Sequence, residues 1–176
     1  MKALIREYAE SIAIALVLAL VVRTFVVQAF KIPTGSMRPT LLEGDRILVN
    51  KFIYRFRQPE PGDIVVFKYP EDPKRDFIKR LVATAGQKVE IRSGQIFVDG
   101  KPLHAKGSFE QRYYYNQGPF GKEGEEVAVP RDSFFVLGDN SASSRDSRYW
   151  GFVPRRNLVG KAFFLYWPPY RIRIAR

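Results

Sequence analysis

The segment from Pro33 to Pro39 could present a nucleophile, because it holds Ser36 in a backbone of restricted freedom. The prolines fix their own φ angles, while Gly35 permits conformations and close approaches that a side chain would prevent. A surface turn would share this pattern, whereas a catalytic serine here would lie at the edge of an apolar strip that an extended peptide could occupy. The apolar neighbours of this segment are Phe30, Ile32, Met37, Leu41 and Leu42.

A serine nucleophile needs a partner that takes its proton. The sequence has one histidine, His104, which lies in a polar stretch, and it has no cysteine. The remaining familiar choice is a lysine kept neutral by burial, since desolvation lowers a lysine pKa. Strand alternation places Lys79 between Phe77 and Leu81 on one face and Arg80 on the other. Lys79 is therefore the better candidate for the base, with an ordinary snorkelling lysine as the alternative.

Composition limits the classes of partner and cofactor. A net charge of +11 over 176 residues is typical of proteins that bind nucleic acid or anionic lipid. The basic residues are scattered along the chain, however, and no nucleic-acid module is recognisable, so we predict no nucleic-acid partner. One histidine and no cysteine exclude a multi-histidine or cysteine-ligated metal centre. We expect neither a metal nor a cofactor.

The stretch from Ser11 to Phe30 carries Arg23 as its only charge. Twenty helical residues span about 30 Å, the thickness of the hydrocarbon core of a bilayer. The sequence therefore predicts that residues 1–30 are a cytoplasmic N-terminus and one transmembrane anchor, with Lys2 and Arg6 favouring the cytoplasmic side. A cleaved signal peptide is the alternative, although the bulky residues after the apolar core lack a small-residue cleavage pattern.

Residues 31–176 are predicted to form one β domain. Short β-branched runs bounded by Gly, Pro and Asp are typical of strands, and Asp99-Gly100 predicts a hairpin turn with positive φ. Residues 108–126 show no clear period and are predicted as a long loop or an irregular excursion rather than a second domain. The polar run 138–148 follows an apolar strand directly and is well placed to build a site. The aromatic tail 163–170 is predicted as a core strand, with a contact at the membrane interface as the alternative. The other predicted strands cover residues 45–51, 62–69, 78–84, 88–92, 95–98, 127–130 and 134–137.

A set of motifs in fixed order resembles the boxes of bacterial type I signal peptidases. The motifs run from the predicted anchor almost to the C-terminus, and their combination is specific. The chain departs from many members in having Ser141-Ala142-Ser143 where they have Arg-Asp-Asn, and in having Arg145 before Asp146. Its single predicted anchor differs from members that have two, and the resemblance implies that the family's large inserted domain is reduced here to a small excursion at about residues 94–130. The motifs are Gly35-Ser36-Met37-x-Pro39-Thr40-Leu41, Gly44-Asp45, Gly62-Asp63-Ile64-Val65-Val66-Phe67, Phe77-Ile78-Lys79-Arg80, Gly138-Asp139-Asn140 and Asp146-Ser147-Arg148.

The resemblance implies a mostly antiparallel β-sheet catalytic domain that removes signal peptides from secreted preproteins at the outer or periplasmic face of the cytoplasmic membrane. Ser36 would be the nucleophile and Lys79 the general base. Thr34 and the Ser36 backbone N–H would form the oxyanion hole, and Ser144 would orient the lysine. The resemblance also implies a supporting polar network of Asp139, Asp146 and Arg148, and shallow substrate pockets lined by Phe30, Ile32, Met37, Phe77 and Ile78.

Two other classes of function fit parts of the sequence. The first is a membrane-tethered basic protein that binds anionic lipid or nucleic acid without catalysis. The second is a self-cleaving repressor with a serine–lysine pair, which the predicted anchor and the absence of a DNA-binding helical domain disfavour.

Overall fold

Two antiparallel sheets carry the chain beyond its N-terminal helix in the computed structural model, which describes residues 2–21, 26–104, 109 and 111–175. The two α-helices are α1 (Lys2–Val21) and α2 (Ser147–Trp150). The predicted mostly β, antiparallel class is confirmed. In chain order the strands are β1 (Val27–Lys31), β2 (Arg46–Asn50), β3 (Ile64–Lys68), β4 (Asp76–Thr84), β5 (Lys88–Arg92), β6 (Gln95–Val98), β7 (Lys101–Pro102), β8 (Val127–Ala128), β9 (Ser133–Leu137), β10 (Val153–Pro154), β11 (Leu158–Trp167) and β12 (Arg173–Ile174).

The N-terminal region differs from the predicted anchor at the C-terminal end of that segment. Among the described residues, no helix is both long enough and apolar enough to cross a membrane. Arg23, which falls inside the predicted anchor, lies outside the described residues. The predicted end of the anchor at Phe30 is wrong, because Val27–Lys31 forms strand β1 and pairs with β2. The backbone N–H and C=O groups of the bulky residues at the end of the apolar stretch form hydrogen bonds within the sheet.

The larger sheet has the order β1-β2-β11-β3-β4-β9-β10, with β12 paired to β11. The long strand β11 lies between β2 and β3, and Gly160 allows its close approach to β2. A Cβ added at Gly160 would lie 2.3 Å from the carbonyl oxygen of Asn50. Strand β4 lies between β3 and β9, so Lys79 is opposite Val65 and Arg80 is opposite Leu137. This position buries both basic residues within the sheet layer.

The smaller sheet has the order β7-β6-β5-β8 and includes part of the predicted excursion. It starts at β5 rather than at Gly94, because β5 pairs with both β6 and β8. The predicted hairpin turn is confirmed, since Asp99 and Gly100 have φ angles of 50° and 74°. Tyr114, in the loop between β7 and β8, is fully buried in an apolar cluster that also includes Phe135 and Leu137 of β9.

Three apolar clusters fix the layers around the region where the polar motifs meet. The first packs the two sheets together through side chains such as Val82, Ile91 and Leu137. The second lies under the β1–β2 connection and includes Met37 and Leu41. The third covers the other face of β3, β4 and β9. The first segment after β1 is therefore packed against the sheet that carries Lys79.

Candidate active site

Ser36 lies at the centre of a single 3₁₀ turn, Gly35–Met37, between β1 and β2. Residue Thr34 enters the turn in an extended conformation, with φ −136° and ψ 156°. The turn directs Met37 into the core, where it is 0% exposed, and leaves Ser36 8% exposed. The short stiff segment therefore anchors one side chain and presents the next.

Asn140 holds this turn from the opposite wall of the site. Its backbone N–H donates to the Ser36 carbonyl at 3.0 Å, and its side-chain amide donates to the Gly35 carbonyl at 3.1 Å. Gly138 permits the close approach, because an added Cβ would lie 2.6 Å from the Ser36 carbonyl oxygen. The motif Gly138-Asp139-Asn140 thus fixes the backbone that carries the serine.

Lys79 reaches Ser36 from strand β4. Its Nζ lies 2.8 Å from Ser36 Oγ and donates to the Ile78 carbonyl at 3.0 Å. The lysine is only 3% exposed, and its Nζ lies 5.5 Å from the centre of the Phe77 ring. The structure therefore brings together the two residues that the sequence paired as nucleophile and base.

Burial lowers the pKa of Lys79 to about 8, which is the largest effect on this group. The carboxylates of Asp146 and Asp139 act in the opposite direction, because a nearby negative charge favours the protonated amine. Arg148 lowers the pKa further. A large fraction of Lys79 is consequently neutral at mildly alkaline pH, the form that can accept a proton.

Asp139 is the centre of a buried ionic network directly behind the turn. Arg80 pairs with both of its carboxylate oxygens, at 2.8 and 2.7 Å, and both side chains are completely buried. Thr40 donates to the same carboxylate at 2.5 Å. Arg112, from the loop between β7 and β8, lies 3.3 Å from Asp139 and donates to Thr40 at 2.8 Å. The network ties β4, the segment after Ser36 and the long loop to one carboxylate.

Asp146 and Arg148 form a second buried ion pair, with contacts of 2.8 Å to both carboxylate oxygens. Arg148 also donates to the side chain and to the carbonyl of Ser141, each at 2.9 Å. Asp146 accepts from the Gly138 backbone N–H at 3.0 Å. This pair therefore shapes the polar loop, including the part in which the chain departs from the family pattern.

Ser144, predicted to orient the lysine, is buried beside Gly138. Its Oγ lacks a hydrogen-bond partner within the described parts of the chain. A Cβ added at Gly138 would lie 2.0 Å from this oxygen, which shows how closely the two loop positions pack. The predicted contact between Ser144 and Lys79 is thus not formed, and the orienting role stays a prediction.

An open cleft of about 670 Å³ lies over Ser36 and Lys79. Thr34 and Asn140 line it near the serine, and Phe77 lines its wall. A much smaller cavity of about 30 Å³ lies beside it, between β1 and β4, and shares Phe77. Its lining includes Phe30, Ile32 and Ile78 together with Phe77, four of the five residues predicted to contact substrate.

The prediction that Met37 contacts substrate is wrong. Its side chain is 0% exposed and belongs to the cluster that includes Ile32 and Leu41. The 3₁₀ turn separates successive side chains, so directing Ser36 toward the cleft directs Met37 away from it. Met37 supports the turn from below.

Several residues that build the site were not identified as functional from the sequence. Strand alternation marks Arg80 only as the neighbour of Lys79, although Arg80 forms the buried ion pair with the Asp139 carboxylate. The role of Thr40 and that of Arg112 depend on contacts between segments far apart in sequence. Asn140 was visible as part of a polar motif directly behind an apolar strand, a signal that could have marked it as a site residue.

Comparison with known proteins defines the class. Residues 5–167 match the sequence profile of the family described as "Signal peptidase, peptidase S26". The match covers well over half of the chain, so this chain belongs to the peptidase S26 family of hydrolases.

Within that family, the similar proteins include several signal peptidases I. A probable signal peptidase I-2 of Synechocystis sp. is 41% identical, covering 94% of this chain and 75% of the relative. A signal peptidase I of Leptolyngbya laminosa is 40% identical, covering 94% and 81%. A solved signal peptidase I of Enterococcus faecalis V583 is 28% identical, with a TM-score of 0.48, covering 60% of this chain and 97% of that one. The resemblance noted in the sequence is confirmed by the family match.

The buried pair of Arg80 and Asp139 predicts a clear effect on stability. Arg80→Met should lower the free energy of unfolding by about 3 to 5 kcal/mol, because it leaves a buried carboxylate without its main partner. Lys122→Met is the control, since Lys122 pairs with Glu125 at the surface with side chains 61% and 53% exposed, and it should change stability little. Urea unfolding of the detergent-solubilised chain, followed by tryptophan fluorescence, would measure both. Equal stability of the two variants would contradict the structural role of Arg80.

Proposed function

We propose that this chain is a membrane-anchored serine endopeptidase that removes signal peptides from secreted preproteins. The observation that carries the proposal is the 2.8 Å contact between Ser36 Oγ and the buried Nζ of Lys79. A serine hydroxyl is a weak nucleophile until a base takes its proton. A lysine that burial has brought to a pKa of about 8 is suited to that task near neutral pH.

The first half of the reaction forms an ester between enzyme and substrate. Ser36 Oγ attacks the scissile carbonyl carbon while neutral Lys79 accepts the hydroxyl proton. The tetrahedral intermediate collapses, the C–N bond breaks, and the protonated lysine returns the proton to the leaving amine. The released amine is the new N-terminus of the mature protein, and the signal peptide stays attached to Ser36.

The second half repeats the chemistry with water. Lys79 takes a proton from a water molecule, which attacks the ester carbonyl and displaces Ser36 Oγ. The proton then returns to the serine, and the signal peptide leaves with a free carboxylate. Both halves use the same proton carrier, so one buried lysine suffices.

We place the oxyanion of both intermediates between the Ser36 backbone N–H and the Thr34 hydroxyl. Thr34 is exposed and lines the cleft beside Ser36. Fixed donors aimed at a developing oxyanion are among the largest contributions to acyl-transfer catalysis. The extended backbone at Thr34 leaves its hydroxyl without a capping role in the following turn.

The apolar cavity between β1 and β4 would take side chains on the signal-peptide side of the scissile bond. Its volume of about 30 Å³ fits small side chains. An extended substrate could lie along the exposed residues of β1, with Ile32 and Ile78 below it. This arrangement would favour small residues close to the cleavage point.

Helix α1 supports membrane anchoring, because its large apolar side chains are exposed along the part whose side chains the structure describes. Ile14 is 69% exposed, and the other large apolar side chains described between Ile12 and Leu20 are 60% to 62% exposed. Exposed apolar surfaces of this kind mark membrane or protein contacts. We propose that this helix begins a single span of the cytoplasmic membrane, with the β domain on the outer face. Retention of the full chain in membranes after alkaline carbonate extraction would support the proposal, and release would contradict it.

Ser36→Ala tests the function directly. The variant should lose cleavage of a model preprotein by on the order of 10⁶-fold, as a protease does without its nucleophile, while its circular dichroism stays unchanged. Ser143→Ala is the matched control, because Ser143 lines the same cleft but is exposed. Wild-type turnover by Ser36→Ala would refute the proposed nucleophile.

The lowered pKa of Lys79 predicts how activity and stability depend on pH. Activity should rise through an apparent pKa near 8, because only the neutral amine accepts the serine proton. The folded-state pKa is below the unfolded value of about 10.5, so the unfolded chain binds more protons and burial of the amine destabilises the fold. This penalty, on the order of 3 kcal/mol, is full below pH 8 and disappears as the pH approaches 10.5.

Lys79→Met should therefore be inactive at every pH and more stable than wild type at pH 7, with a difference that shrinks as the pH rises. Lys68→Met is the control, because Lys68 is 44% exposed and pairs with Asp76 at the surface. Thermal unfolding and peptide cleavage measured from pH 6 to pH 10 would be compared for the three proteins. A Lys79→Met variant that cleaves normally would show that another group is the base.

The proposed oxyanion role of Thr34 predicts that removal of its hydroxyl lowers turnover selectively. Thr34→Val, which is nearly isosteric, should lower kcat by about 10² to 10³ with little change in KM, as removal of one oxyanion donor does elsewhere. Thr34→Ser keeps the hydroxyl and should retain most of the activity. Steady-state kinetics of both variants on one peptide would measure this difference in kcat. Equal losses of kcat in the two variants would argue against an oxyanion role.

A further inference from the structure

The cleft beside Ser36 has a charged wall that the hydrolytic steps do not use. Two segments form it, the turn between β3 and β4 and the polar loop 138–148. Arg145 Nη2 lies 3.7 Å from Glu71 Oε2 and joins the two segments. Both residues line the cleft together with Arg75, whose guanidinium lies 5.3 Å from the Phe77 ring centre.

The ion pair between Arg145 and Glu71 is easily exchanged. The side chains are 69% and 54% exposed, and their 3.7 Å separation is long for an ion pair. Exposed pairs of this kind contribute little to stability. Glu71 has a second partner, since its carboxylate accepts a hydrogen bond from Tyr69. Arg145 could therefore leave Glu71 for another carboxylate without leaving Glu71 unpaired.

The charge balance of the wall favours an acidic ligand. On the side of the nucleophile turn, Arg38 and Glu43 neutralise each other through two contacts of 2.8 and 2.7 Å. Arg75 and Arg145 remain on the other side against the single carboxylate of Glu71. The wall thus has one positive charge in excess, close to the scissile position and open to solvent.

The position of this wall indicates which part of a substrate meets it. The small apolar cavity lies at one end of the site, between β1 and β4. The charged residues line the larger opening, on which Ser36 and Lys79 also lie. If the small side chains of a peptide occupy the apolar cavity, the chain beyond Ser36 would enter the charged part of the cleft. The segment there is the start of the mature protein.

We propose that Arg145 is a specificity residue that binds an aspartate or glutamate side chain among the first residues after the scissile bond. This inference rests on the proposed signal-peptide cleavage and adds a preference on the mature side. Arg145 follows Ser144 at the point where the chain departs from the common family pattern. The preference would therefore be a property of this chain's own loop.

Matched peptides would test the preference in the full chain. Each pair carries glutamate or glutamine at the first, second or third position after the scissile bond. Wild type should cleave the glutamate peptide of at least one pair with a kcat/KM about two- to fivefold higher, the range expected for an exposed ion pair. Higher ionic strength should reduce this ratio, because salt screens exposed charges.

Three variants separate Arg145 from general charge effects. Arg145→Gln should bring the ratio to about one, mainly by lowering kcat/KM for the glutamate peptide. Glu71→Gln should increase the ratio, since it removes the competing carboxylate and keeps an acceptor for Tyr69. Arg156→Gln is the control, because Arg156 is exposed and lines a separate cavity beside β10, and it should behave as wild type.

The outcomes also separate this inference from the proposed function. Cleavage of both peptides at equal rates by wild type would overturn the inference and leave the peptidase activity standing. A glutamate preference that survives in Arg145→Gln would overturn it as well, because another group would then be responsible. Failure of wild type to cleave any of the peptides or a preprotein would overturn both proposals.

Discussion

Placement of an amine inside a β structure, against a serine hydroxyl, is the constraint on which the rest of this site depends. Lys79 must be buried for its pKa to fall to about 8, yet two carboxylates nearby favour its protonated form. Asp139 and Asp146 are tolerated there because Arg80 and Arg148 pair with both of their oxygens. The two guanidinium groups satisfy the acids and leave the lysine to be governed mainly by its lack of water.

The same ion pairs have a second, geometric effect. Asp139 is followed by Asn140, whose two hydrogen bonds hold the turn of Ser36. Arg80, the ion-pair partner of Asp139, directly follows Lys79 on β4. The partner of Asp139 is therefore the sequence neighbour of the proposed base. The buried bond between Arg80 and Asp139 therefore fixes the separation between nucleophile and base through one residue on each side.

The cleft has two chemically different ends, and Phe77 separates them. On one side it lines the small apolar cavity between β1 and β4, and on the other it lines the open cleft. Tyr69 stacks on Phe77 at 4.3 Å, and Trp150 packs edge-on against both rings. This aromatic cluster gives the cleft a rigid wall between a part suited to small apolar side chains and a part suited to charged ones.

The sequence alone determined the β class and the Asp99-Gly100 hairpin, because strand periodicity and turn chemistry are local properties. It made Ser36 and Lys79 a candidate pair, and the resemblance of the ordered motifs to a known family supported that choice over an ordinary surface lysine. Tertiary structure decided that Val27–Lys31 is a strand rather than the end of an anchor, since an apolar run suits a sheet edge and a bilayer equally. It also decided that Met37 faces the core and that Arg80 is buried on Asp139. These outcomes depend on which distant segments meet, because a side chain's direction in a tight turn and a charge's partner are set by contacts that no local pattern encodes.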